Sequence, residues 1–289
     1  MESINKTMLE FACRIAKEIK ARAVLLYADV ASDLPAIEAE RICFDVIMIT
    51  RGEEAHSERL RNTAKVINVP DVNLTRLGQI KIAITKGIAT GLFKKGDKLV
   101  CLSGVPRFGY VDSIFVIDVG REFEILTSEG ITDITDGVFP EVFGAVLNLA
   151  LELAAQGREG RKVGTIFILG DHEKVLQLSR QMIINPFQGY SEEERNILNP
   201  ELKETVREFS ALDGAFVIRE NGAIMTAGRH LNAALESKDF PQGLGSRHIA
   251  AAGMTSITHA IAIVTSESTG NVSVFKNGKI LVTIEKPIE

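Results

Sequence analysis

Along the first half of the chain, short solid apolar runs alternate with amphipathic stretches. Met8, Phe11, Ala12, Ile15 and Ile19 recur at helical spacing and predict a helix over residues 5–20. Residues 23–27, 44–50 and 65–69 read as buried strands, the last stopped by Pro70. Residues 34–41, 53–64 and 74–92 read as helices between and after them, the last closed by Gly91 or by the Lys94-Lys95-Gly96-Asp97 turn. Strands at 98–102 and 113–118 complete the set. Strands that are apolar throughout and alternate with helices predict an α/β sandwich around a mainly parallel sheet.

The pattern changes after residue 120. Residues 120–137 hold Thr, Asp, Glu and Gly with short apolar runs, a hairpin or a link, so the domain boundary is placed near residue 125: 1–124 and 125–289. From Pro140 a broad apolar face (Val142, Phe143, Val146, Leu147, Ala150, Leu151, Ala154) predicts a helix ending at Gly157. A strand follows at 163–169, then a helix capped by Asp171 and running to about Met182. Residues 185–190 form a loop, Ser191 with Glu194 a capping box for the next helix, and Pro200 the first turn of another. Two hairpins turn at Asn221-Gly222 and Asn277-Gly278, each expected to place both residues at positive φ. With a further strand at 260–264, this half is a mixed sheet with helices against it.

Composition adds exclusions. Apolar residues make up 45% and charged residues 25% of 289, as in ordinary globular proteins. A net charge of −5 favours a small anion over nucleic acid as partner. No apolar run is long enough to span a bilayer, and the first residues lack a signal-peptide pattern, so a cytoplasmic chain without membrane contact is expected. Cys13, Cys43 and Cys101 are scattered and odd in number, which suits buried thiols, and the histidines form no zinc-type spacing.

Chemistry concentrates in two stretches. In Gly243-Leu244-Gly245-Ser246-Arg247-His248, Gly245 permits a turn, Ser246 is a good N-cap, and the run through Ile257 continues as a helix. The unpaired N–H groups of that helix, with Arg247 and His248 beside them, make a phosphate site. Upstream, Asp213-Gly214-Ala215 puts a carboxylate at the mouth of a hairpin strand, with a glycine that lets a ligand come close. His230 reads as a surface or loop residue, His259 as a strand-edge residue, Asp171-His172 as a helix cap, and Lys94-Lys95 and the Arg158 to Lys162 charges as solvated turns, the second of which could also meet a partner subunit.

Together, Asp213-Gly214-Ala215 and Gly245-Ser246-Arg247-His248 resemble the DGA and G-[ST]-R-H motifs of the diadenylate cyclase (DAC) domain. Supporting matches are Gly157 to Arg161, Leu169-Gly170-Asp171, Asn185 to Tyr190, and Ser266 to Gly270. Lys95 to Gly104 with Asp112 to Gly120 resembles the C-terminal domain of pyruvate kinases, which suits an oligomerisation or regulatory role for 1–124. The whole is similar to the archaeal type of diadenylate cyclase.

The resemblance implies an α/β fold with a C-terminal mixed-sheet cyclase domain. It implies a nucleotidyltransferase that condenses two ATP into cyclic di-AMP and two pyrophosphates, with Mg2+ or Mn2+. Asp213 and Glu267 would hold the metal. Asp213, Gly214, Arg247 and His248 would form the catalytic set. ATP would also meet Ala215, Gly245, Ser246, Glu267 and, at the adenine, Leu231. A homo-oligomer, at least a dimer with cyclase domains face to face, is implied as well. The chain departs from the pattern at Ile249, where many members carry a second arginine. It departs again at Ser268, where several carry Glu, and at Leu212, where some carry a metal-binding histidine. The alternative is a non-catalytic ATP or dinucleotide sensor, which would have little use for Asp213 beside the phosphates.

Overall fold

The computed structural model describes residues 2–30, 45–52, 65–121, 134–157, 161–232 and 245–287. The chain divides into two compact units, Met1–Thr132 and Asp133–Glu289. The boundary expected near 125, the helices expected at 34–41 and 53–64, Phe44, Cys43, Gly243 and the centre of the Gly157 to Arg161 match all lie outside the described residues.

In the first unit, helix α1 (Glu2–Ile19) leads into strand β1 (Ala23–Tyr27), all five of whose residues are buried. Strands β2 (Asp45–Arg51), β3 (Lys65–Val69), β4 (Lys98–Ser103) and β5 (Ser113–Asp118) join it in the order β3-β2-β1-β4-β5. Pairings β1–β2, β2–β3 and β1–β4 are parallel, and β5 closes the edge antiparallel to β4. The mainly parallel α/β reading holds. Strands buried on both faces must be apolar throughout, which is why solid runs marked them. Helix α2 (Arg76–Ala89) starts where the Thr75 hydroxyl accepts the Gly78 N–H at 2.9 Å.

The second unit is built on a seven-stranded mixed sheet. Its elements are α3 (Pro140–Gln156), β6 (Thr165–Leu169), α4 (His172–Gln177), β7 (Ser179–Gln181), α5 (Leu202–Phe209), β8 (Ala215–Ile218), β9 (Ile224–Leu231), α6 (Ser246–Ile257), β10 (Ile261–Thr265), β11 (Val272–Lys276) and β12 (Lys279–Ile284). The strand order is β12-β11-β10-β6-β8-β9-β7. Only β6 and β8 run parallel; the other neighbours are antiparallel. Ile166, Ile168 and Val217 pack with Ala251, Ala252 and Met254 of α6. The alternate residues Phe167 and Phe216 point to the other face, rings 5.1 Å apart, where Phe187 and Phe209 join them.

Several local expectations are corrected. The helix from Asp171 ends at Gln177, and Ser179–Gln181 becomes an edge strand on β9. Arg229 is the cause: its guanidinium donates to the carbonyls of Leu176 and Ser179, both at 2.6 Å, and its Nε to the Ser179 hydroxyl. Asp171 sits at the cap position at φ 43 without capping; its carboxylate accepts the His259 N–H at 2.9 Å. Ser191 and Glu194 do form the reciprocal box, but over turns instead of a helix. Asn277 and Gly278 both take positive φ, whereas at the first hairpin only Gly222 does. There Asn221 is held by its own side chain, which accepts from the Ala223 N–H, and by Asn196, which donates to its carbonyl.

Because Phe167 is fully buried with its ring against Phe216, Phe167→Ala is expected to lower the stability of this unit by about 3–5 kcal/mol. Denaturant unfolding followed by circular dichroism measures it.

Candidate active site

Sheet topology gathers the chemistry at one edge. Ala215 opposite Ile166 sets the starts of the parallel strands β8 and β6 side by side. Thr265 opposite Thr165 brings the end of antiparallel β10 to that same edge. The residues just before β6 and β8 and just after β10 are therefore neighbours: Gly164, Asp213-Gly214 and Glu267. Helix α6, which precedes β10 on the sheet face, starts there too.

Each position has a local reason. Gly214 has φ +109, and a Cβ on it would lie 2.6 Å from the Arg229 nitrogen and 2.8 Å from the Gly228 Cα. The turn can thus fold onto the β9 backbone and leave the Asp213 carboxylate in solvent, 89% exposed. Glu267 stands in a loop closed on itself: Ser266 N–H donates to the Asn271 carbonyl, Gly270 N–H to the Ser266 carbonyl, and Thr269 N–H to the Ser266 hydroxyl. Gly245, not Ser246, is the N-cap of α6, and Ser246 is its first residue. The His248 and Ile249 N–H groups both reach the Gly245 carbonyl. Among the described residues the N–H groups of Ser246 and Arg247 have no partner, as an anion site requires.

Arg247 ties these pieces together. Its Nη1 lies 2.9 Å from Glu267 Oε2 and its Nη2 3.3 Å from Asp213 Oδ1. Sequence reasoning missed the fourth member, Gly164. A Cβ there would stand 2.7 Å from Arg247 Nη1 and 2.9 Å from Glu267 Cβ. The available signal was a glycine at the head of an apolar strand, a mark of close approach.

His248 turns inward, 7% exposed, with its ring edge-on to Phe275 at 5.9 Å. Burial first, and the adjacent Arg247 charge second, hold its pKa below the ordinary 6.5. A pocket of about 580 Å³ opens beside Arg247, lined by Ser246 to His248 on one side and by Thr265, Ser266, Glu267, Ser268 and Thr269 on the other. Such a volume suits a nucleotide-sized ligand. Asp213 lies outside that lining and meets it through Arg247. Leu231 ends β9 inside the core, 7% exposed, and His230 and His259 are on the surface.

Two family models match the chain. Residues 152–280 match the one described as DisA bacterial checkpoint controller nucleotide-binding, and residues 5–127 the one described as probable sensor domain DacZ_P. A diadenylate cyclase of Methanocaldococcus jannaschii is 36% identical over 203 residues, 70% of this chain and 64% of that one. A diadenylate cyclase of Haloferax volcanii is 35% identical over 209 residues, 72% of this chain and 75% of that one. The chain belongs to the diadenylate cyclase family. A pyruvate kinase from Cryptosporidium parvum matches 39% of this chain at 15% identity and a TM-score of 0.32, too slight to carry an argument.

Diadenylate cyclases are nucleotidyltransferases, a class that works with divalent metal ions. Among the described residues no cluster of three or more His, Cys, Asp or Glu forms a protein cage for a metal. Asp213 and Glu267, both on one guanidinium, are oxygen donors of the kind a hard divalent cation takes, one or two carboxylates with the other positions left to non-protein ligands. None of the described helices is long and apolar enough to cross a membrane.

In the folded chain His248 is expected to titrate below 6.5. The unfolded chain then takes up that proton more readily, so stability contributed by the neutral ring is present above about pH 6.5 and lost as pH falls through the folded pKa. Histidine NMR titration checks the direction, and Arg247→Met should move the midpoint part of the way back up.

Proposed function

We propose that this chain condenses two ATP molecules into cyclic di-AMP, releasing two pyrophosphates, with Asp213, Arg247 and Glu267 at the centre of the site. The observation that carries the reading is Arg247 at the head of α6, its fork reaching both carboxylates beside a nucleotide-sized pocket. Each 3′-hydroxyl oxygen attacks the α-phosphorus of the other ATP. Two P–O bonds form, two bonds to pyrophosphate break, and two hydroxyl protons are released. Such transfer depends on alignment and on charge stabilisation.

Asp213, with Gly214 and Ala215 beside it, orients the attacking hydroxyl. Arg247 forks onto phosphate oxygens, and the N–H groups of Ser246 and Arg247, opened by Gly245, face the same anion. His248, kept neutral, shapes the pocket wall and adds no second positive charge. Leu231 offers the base only a narrow apolar margin. Mg2+ or Mn2+, held by Asp213 and Glu267, would neutralise triphosphate charge. A sensor of ATP has no need for two acids on its phosphate-binding arginine, which favours the enzyme over that alternative.

Incubating the pure protein with ATP and Mg2+ or Mn2+ is expected to yield cyclic di-AMP, read by mass spectrometry. Hydrolysis to ADP without a dinucleotide overturns the reading. Asp213→Asn should keep ATP binding and lose roughly 10²-fold in turnover, whereas Arg247→Ala should also weaken binding.

The product is a ring closed by two equivalent bonds, so one site per chain is half a reaction centre. An isologous pair of chains, cyclase units face to face, supplies the other half. The first unit is the part proposed to hold the pair together. Removing it, leaving Asp133–Glu289, should make specific activity rise with protein concentration while that of the full chain stays flat. Sedimentation beside a rate-against-concentration series measures this, and a monomeric full chain with flat activity counts against the scheme.

A further inference from the structure

We propose that Arg247 is a charge latch that makes triphosphate and divalent cation bind cooperatively, and that Gly164 is its positioning residue. The proposal rests on the ATP reading above. One guanidinium is shared by two carboxylates, at 2.9 Å from Glu267 and 3.3 Å from Asp213. Those are the same groups the two ligands want. Phosphate oxygens compete with the carboxylates for the fork, and a cation competes with the fork for the carboxylates.

A triphosphate arriving alone must draw the fork away and leave two bare carboxylates beside its own negative charge. A cation arriving alone sets its positive charge against the guanidinium. When both arrive, each supplies the countercharge that the other removes. The coupling is reciprocal, as any coupling of binding free energies must be. The side chains involved are 30%, 59% and 89% exposed, so water screens the pairs and the latch yields to the correct ligands. Gly164 sets the depth of the fork, because a Cβ there would sit 2.7 Å from Nη1. Its backbone lies outside the left-handed region, so alanine is conformationally acceptable and acts by pressing on the guanidinium and on Glu267 Cβ, the two sides of the contact it would part.

The test is a double-mutant cycle read as binding, without turnover. The probe is α,β-methylene-ATP, the method calorimetry on the full chain, in EDTA and again in Mg2+. In EDTA, Glu267→Gln should bind the probe about two- to fivefold tighter than the parent, because the fork has lost a competitor. In Mg2+ the same variant should bind it more weakly, a reversal of sign that a merely structural glutamate would not give. In the Arg247→Met background, and in the Gly164→Ala background, the EDTA gain should shrink to below about 1.5-fold. An equal gain in the Arg247→Met background would show plain charge repulsion and overturn the latch. So would equal affinities of parent and Glu267→Gln in EDTA, both undetectable included. An undiminished gain with Gly164→Ala would remove Gly164 from the scheme. Failure to form cyclic di-AMP with the cycle intact would overturn the cyclase reading alone; no binding by any form would overturn both.

Discussion

The pairing of β10 with β6 is the constraint on which the rest of the second unit depends. Antiparallel register with Thr265 opposite Thr165 sends the loop after β10 to the edge where β6 and β8 begin. Open parallel sheets usually present ligands at the carboxyl ends of their strands. In the site proposed above the amino ends of the one parallel pair take that part, because an antiparallel neighbour delivers Glu267 to that edge and α6 starts beside it. Five buried residues in β6 and five in β10 fix the register, since a slip of one position would turn a core side chain onto the wrong face.

Charge at that edge is balanced by position more than by burial. Two carboxylates and one guanidinium leave a single negative excess beside the free helix N–H groups, and Lys162 reaches only as far as the Ser268 carbonyl, at 3.5 Å. The imidazole that could have supplied a second cation is folded away against Phe275. Ile249 stands where many members of the family carry a second arginine, so Arg247 is the cation of this first turn.

Much of the fold was legible because burial on both faces demands solid apolar runs, and those runs mark β1, β6 and β8 directly. Asp213, Arg247 and Glu267 were legible through motifs, and the structure brings both carboxylates within hydrogen-bonding reach of the one guanidinium. What escaped was decided by distant partners. The strand at Ser179–Gln181 exists because Arg229 takes the carbonyls that would have continued the helix. Asn221 avoids the turn geometry its sequence suggests because Asn196 and its own amide hold it otherwise. Gly164 gave only the faint sign of a missing side chain, and its meaning depends on what lies across from it.

The two contacts of Arg247 are made by different nitrogens of one planar group. An ammonium gathers its three donors on a single nitrogen, so a lysine would have to draw both acids to one point where the fork meets each at its own. Surface positions ordinarily drift freely between the basic residues. Here the geometry of the fork disfavours that route, and the site is fenced against the mildest of exchanges although both of its acids stand largely in solvent.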